Sequence, residues 1–243
     1  MKKRREIKRI AQINFLGQYW KSVVVVLIVS IIPFFMMWTG TIFTIAALYC
    51  TVFIFQLSLV QTVATTISSV LLGIIMVLMQ PILSVGAAGM YIDVFESRKT
   101  SVWKCLGGFQ NFGNALGGML WMILWIFLWS ILLIVPGIVK SYSYCMTPYI
   151  LSDCPRVYGP DAVEISKRMM RGYKAKIFVA QLSFLGWMVL SVMTLGILWI
   201  FYVGPYYNTV MAGYYEEIKR AAVKNGAVTQ EEFEGAELRP TEV

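Results

Sequence analysis

The residues with the most to offer chemically lie in one apolar stretch, 128–153, which reads LWSILLIVPGIVKSYSYCMTPYILSD. Pro136-Gly137 interrupts an otherwise continuous apolar helix, and Pro148 removes a second backbone donor further on. Freed backbone groups cannot face lipid, so this segment is predicted to pack against protein or to line a wet cavity. A helix restarted after Pro136 directs the unpaired N–H groups of its first turn outward, which makes a generic anion site. Lys140 falls in that turn and Tyr144 one turn later on the same face, while Tyr142 and Tyr149 share another face. A cation with phenols at the end of a broken helix can hold a phosphate or carboxylate headgroup. A plainer reading stands beside it. From Gly137 to Ser152 a helix covers only ~24 Å, so Lys140 lies near an end and snorkels to water while the tyrosines anchor at the interface.

Other side chains inside the apolar runs suit packing. Gln61, Gln80 (before Pro81, a predicted kink), Gln181, Ser183 and Asn208 are uncharged hydrogen-bonding groups, and Gln181 in particular reads as a tie between helices. Gly113 and Gly117 form a GxxxG, and Ser84, Gly86, Ala88 and Gly89 make a small-residue face, both patterns of close helix contact or of a dimer. The sequence has no histidine, which excludes Ser-His-Asp triads, histidine-ligated metals and histidine switches. Cys50, Cys105, Cys145 and Cys154 are scattered without metal-ligand spacing and read as unpaired thiols. Seven of the thirteen acids fall in the last 28 residues, leaving Asp93 and Asp153 as the carboxylates that flank apolar segments tightly. No GxSxG, phosphate loop or HExxH occurs. The expectation is a protein that is not an enzyme and carries neither cofactor nor metal.

The elements that must position these residues follow from composition. The 243 residues are 58% hydrophobic and 14% charged, with a mean hydropathy of +0.67, where soluble chains run about 45–50% apolar and about 25% charged. The 71 residues 22–92 contain no Asp, Glu, Lys or Arg. Such a run cannot hide in one small core, so a bilayer must be its solvent. The predicted fold class is all-α, a polytopic transmembrane bundle of about six spans in three hairpins with short interfacial amphipathic helices.

Charge orients the spans. Residues 1–22 carry seven Lys/Arg against Glu6, and 153–176 carry Arg156, Lys167, Arg168, Arg171, Lys174 and Lys176 against three acids. Both are predicted cytoplasmic, hence separated by an even number of crossings. Their position beside apolar segments makes anionic membrane lipid, rather than nucleic acid, the partner of a net charge of +8. Candidate spans are 23–38, 66–92, 115–135, the broken 136–152, 177–196 and 198–215, with 41–62 at the outer interface or re-entrant. If 41–62 crosses instead, 93–104 lies outside and 136–152 becomes a juxtamembrane helix. The first span is read as uncleaved. Three regions result: a basic interfacial helix over 1–22, with Ile7, Ala11 and Phe15 on its apolar face; a transmembrane domain over 23–222; and a polar, acidic, mobile tail over 223–243. A short amphipathic helix is predicted over 101–112. Another, over 160–172, has Ala162, Ile165 and Met169 as its stripe and is predicted to lie flat on the cytoplasmic membrane surface.

Residues 132–155 and 166–218 resemble a bacterial integral-membrane family labelled domain of unknown function 975. The likeness is carried by the proline-glycine break, the Lys-Ser-Tyr-Ser-Tyr run at 140–144, Thr147-Pro148-Tyr149, Gly172 and the run Ser183-Phe184-x-Gly186-Trp187. It extends well over 101–218 and in general layout over 1–92. Cys154 stands where that family tends to have asparagine and Tyr173 where histidine is usual. A weaker likeness runs to the membrane portion fused to some glycerophosphodiester phosphodiesterases. The resemblance implies a multi-pass protein of the bacterial cytoplasmic membrane, both termini inside, and no reaction. The function expected is non-enzymatic binding or conduction of an amphiphile, lipid headgroup or small solute. The alternative is a structural or assembly subunit that docks a homo-oligomer or a partner membrane protein.

Overall fold

The computed structural model describes residues 3–49 and 59–234, and every regular element among them is helical. The order is α1 (Arg4–Gly17), α2 (Tyr19–Tyr49), α3 (Leu59–Phe95), a 3-10 segment (Val102–Phe109), α4 (Phe112–Leu132), α5 (Ile134–Tyr144), α6 (Thr147–Asp153), α7 (Gly159–Met169), α8 (Lys174–Leu182), α9 (Leu185–Met193), a π segment (Trp199–Val203), α10 (Gly204–Lys224) and α11 (Gln230–Phe233). Three stretches are long and apolar enough to cross a membrane: Thr66–Phe95, Phe112–Leu132 and Lys174–Met193. Arg4–Gly17 with Tyr19–Ser30, bent by 94°, makes a fourth if counted as one span. In hydrocarbon a backbone must satisfy its own hydrogen bonds, which favours helix even for valine-rich runs such as Val23–Val26 in α2.

Packing is uneven in a way that separates two solvents. The buried core joins the last third of α3 (Met90, Val94) to α6 (Ile150), α7 (Ile165, Met169), α10 (Tyr215, Ile218) and α1 (Ile7, Phe15). Apolar side chains around the α4–α5 turn and the end of α9 face outward instead: Ile131 is 70% exposed, Ile134 76%, Val192 76% and Leu195 92%. Exposure of that size on contiguous helix ends is stable only in lipid or under a partner.

Several expectations change. The apolar face Ile7, Ala11 and Phe15 exists, but it is fully buried against the protein rather than lying on the membrane. The elbow at Gln18 is fastened to the turn after α3: Asn14 donates to the Phe95 carbonyl at 2.6 Å, Gln18 to that of Arg98 at 2.8 Å and Lys21 to that of Thr100 at 2.8 Å. The break placed between 23–38 and 41–62 is absent, since α2 runs straight through it to Tyr49. A single glycine at position 40 costs a helix only about 1 kcal/mol. Residues 50–58, with Cys50, lie outside the described residues. Cys105, Cys145 and Cys154 are unpaired.

The helix over 160–172 forms as Gly159–Met169, with Pro160 in its first turn and Gly172 (φ 80°) turning the chain after it. Its stripe Ala162, Ile165 and Met169 is at most 1% exposed and sits on α4, α5 and α6, so it is a core helix and not a surface one. The tail expected to be mobile from 223 is folded through Phe233. Helix α10 continues to Lys224, and α11 starts at a capping box in which Thr229 accepts from the Glu232 N–H while Glu232 accepts from that of Thr229 at 2.8 Å.

Candidate functional site

The chain breaks at Leu133, whose extended backbone (φ −158°, ψ 137°) reverses direction between α4 and α5. Pro136 therefore lies inside the first turn of α5, where its missing N–H was unpaired in any case, rather than at the break itself. Gly137 lets α5 approach α4 closely, since a Cβ there would stand 2.9 Å from the Cα of Ser130. Pro148 likewise opens α6, and Tyr149 follows it into the core.

This geometry separates the four residues grouped as a headgroup site. The Lys140 ammonium sits over the Trp129 ring, 4.8 Å from its centroid. Tyr142 donates to Gln181 at 2.8 Å, and Gln181 donates onward to the Tyr207 hydroxyl at 2.8 Å. Gln181 thus ties α5 and α10 through α8. Tyr144 is buried on the α7 side, within the field of Lys167 and Glu164. Tyr149 stacks on Tyr215 with centroids 5.6 Å apart. A cation and phenols converging on one anion are not what these residues make.

The glycines divide in a similar way. A Cβ on Gly113 or Gly117 would meet nothing within 4 Å, so that GxxxG faces outward. The close approach is made by Gly118 and Gly159 instead, where a Cβ on Gly118 would lie 2.9 Å from the Gly159 Cα. Gly86 and Gly89 do make tight contacts, to the Cys105 backbone and to Ser152.

What does converge is a cavity of ≈ 280 Å³ between α2, α3, the start of α6, the π segment and α10. Val25, Val26, Val29, Ala87, Ala88 and Pro148 give it apolar walls, and Ser30, Ser84, Tyr91, Tyr149, Trp199 and Asn208 place polar atoms in the lining. None of these residues is charged. Tyr91 donates to the Ser22 carbonyl at 3.1 Å, and Asn208 lines the same cavity. The π segment shapes one wall. A Cβ on Gly204 would stand 2.7 Å from the Trp199 carbonyl, so glycine there lets the wider turn close under the indole. Sequence reasoning picked out Asn208, Tyr149 and Pro148 but not Ser30, Tyr91 or Trp199. An aromatic at the end of a span is too common to stand out, although a tyrosine two residues before Asp93 was a usable sign.

At the ends of α3, α6 and α10 lies an ionic network. Asp153 accepts from the Tyr215 hydroxyl at 2.8 Å and is paired with Lys219. Asp93 has its own cation, Lys104, at 2.5 Å. The two carboxylates that flank apolar segments are thus each committed to a lysine. Burial, with Asp153 next to it, pushes the Cys154 thiol up to about 12, so it stays neutral. Burial opposes the charge of Lys219, but the hydrogen bond and charge of Asp153 outweigh it and raise its pKa.

Residues 131–222 match the family described as "Protein of unknown function (DUF975)". The DUF975 stretch contains the α5–α6 break, the Gln181 tie, the π segment and most of α10, so the resemblance seen in the sequence holds there. The cavity draws Pro148, Tyr149, Trp199 and Asn208 from the DUF975 stretch, and its remaining lining from α2 and α3. No curated protein and no solved structure matches the chain, so the comparisons give the phosphodiesterase likeness no support.

Proposed function

We propose that this chain is a non-enzymatic membrane protein that binds a small uncharged amphiphile in the cavity between α2, α3, α6 and α10. The observation that carries this reading is the lining itself: aliphatic walls with hydroxyl, amide and indole groups and no ionised side chain. A few convergent polar groups in a mostly apolar concavity are what small-molecule sites have, and ≈ 280 Å³ lies just below their usual range of about 300–1,000 Å³, which suits a small ligand. The commitment of Asp93 and Asp153 to lysines supports binding over catalysis. In this reading the chain crosses the bacterial cytoplasmic membrane six times in three hairpins, with both ends inside and anionic lipid around its basic turns. A cysteine placed at Lys99 and labelled from the inside only is the matching topology test.

Native mass spectrometry of gently extracted protein tests the binding. Wild type is expected to retain a bound amphiphile, and Ser30→Phe and Asn208→Leu to lose it, Ser30→Phe with unchanged thermal unfolding. Equal retention by both variants removes the proposal. A second reading, a subunit that docks another membrane protein, is favoured by the outward Gly113–Gly117 face. It requires Gly117→Leu to abolish co-purification of a partner.

A further inference from the structure

We propose a second, separate site, for a phosphate-bearing group, formed by Lys140 of α5, Arg171 in the turn after α7 and Lys174 at the start of α8. No acid occurs in the sequence between Glu164 and Glu216, while Lys167, Arg168, Arg171, Lys174 and Lys176 crowd the turn. Among them, Lys167 is paired with Glu164 at 2.8 Å and Arg168 with Glu232 at 2.7 Å. Arg171 and Lys174 have no carboxylate partner among the described residues, and Lys140 brings a third unmatched charge from another helix. Helix α5 packs on α8, with the Tyr142 and Phe178 ring centroids 5.9 Å apart, and Arg171 stands three residues before Lys174 in the turn, so the charges of Lys140 and Arg171 both act on Lys174.

Like charges gathered from three elements repel one another, and an anion relieves that repulsion. The turn adds donors. Gly172, at φ 80°, swings the chain so that α8 begins at Lys174; the Lys176 N–H is taken by the Tyr173 carbonyl at 3.0 Å, and the two N–H groups before it have no acceptor within the helix. The flank is apolar and open: Ile138 is 51% exposed, Val139 45% and Phe178 48%. Phosphate against cations with alkyl chains along α5 and α8 fits a lipid headgroup; phosphate alone fits a soluble anion. This site shares no residue with the cavity, and its test does not depend on what the cavity holds.

The test is amine footprinting of the full-length protein in nanodiscs, reading acetylation of Lys140 and Lys174 by mass spectrometry with Lys224 as reference. Phosphatidylglycerol, compared with phosphatidylcholine, is expected to slow acetylation at Lys140 and Lys174 about fivefold, the effect of roughly one cation–headgroup contact. Arg171→Gln is expected to abolish that protection and Arg171→Lys to keep it. The same protection by inorganic phosphate in phosphatidylcholine nanodiscs supports the site and assigns it to a soluble anion. Protection by phosphatidylglycerol alone assigns it to a headgroup. Absence of protection in both arms, or equal slowing at Lys224, overturns the proposal.

Discussion

Gln181 holds two phenols, accepting from Tyr142 and donating to Tyr207, in the middle of an apolar helix pair. Gln181→Leu keeps the volume and strands both hydroxyls, so it is expected to cost about 1–3 kcal/mol, read as a lowered melting temperature in detergent. Two carboxylates have opposite signs in their pH response. Burial, with Glu96 and Asp153 close by, pushes Glu216 above its ordinary value. The folded chain then keeps a proton that the unfolded chain has lost, so stability falls as pH rises from the unfolded value through the raised one. Glu216→Gln is expected to remove that slope and to stabilise the protein at neutral pH. Burial works against Glu232 too, but the Arg168 guanidinium and the Thr229 N–H hold it below its ordinary value. Its contribution is complete above the unfolded value and is lost as pH falls through the lowered one. Glu232→Gln is therefore expected to lower stability at neutral pH, and melting curves across pH separate the two behaviours.

At the scale of elements, contact distances decide which glycines matter. Gly159→Ala would bring its Cβ to 2.8 Å from the Asn114 carbonyl and Gly118→Ala to 2.9 Å from the Gly159 carbonyl, both backbone atoms that cannot yield cheaply. Each is expected to destabilise by about 1–3 kcal/mol. Gly113→Ala, with open space around it, is expected to be neutral or to stabilise by about 0.5–1 kcal/mol through helix propensity. Melting temperatures of the three variants give the comparison. The same contrast explains what could be read from the chain. Helix positions followed from uncharged runs, prolines and Gly172, because those signals are local. The stripe of Ile7, Ala11 and Phe15, and that of Ala162, Ile165 and Met169, were also legible, but an apolar face looks the same whether lipid or protein covers it. Lys140, Tyr142, Tyr144 and Tyr149 lie close in sequence, yet the helix rotation and the break at Cys145–Met146 send them to different neighbours. The cavity needed α2 and α3 brought against α6 and α10, which no spacing within one segment encodes.

Across the whole molecule, the acidic end of the described chain helps to lock α7 to α10. Glu232 joins Arg168, Val228 is 1% exposed, and Phe233 is 4% exposed with the Lys219 ammonium 5.0 Å from its ring centroid. Phe233→Ala is expected to cost about 3–5 kcal/mol, as for other buried phenylalanines, and to show as faster hydrogen exchange in α7 and in the last turns of α10. A tail that merely wandered in solvent would give neither effect.

The seat of α1 has a temporal side. Its Lys8 carbonyl accepts from the Tyr206 hydroxyl, 198 residues further along, and its ammonium reaches Ser183. At roughly 5–20 residues per second, the ribosome takes some 10–40 s to deliver that docking ground after α1 has emerged. Through that interval Ile7, Ala11 and Phe15 need provisional cover, which a lipid surface drawn to their cationic neighbours would offer. Nascent chains stalled before Gly204 are therefore expected to crosslink through position 11 to lipid, and finished chains to crosslink through it to protein.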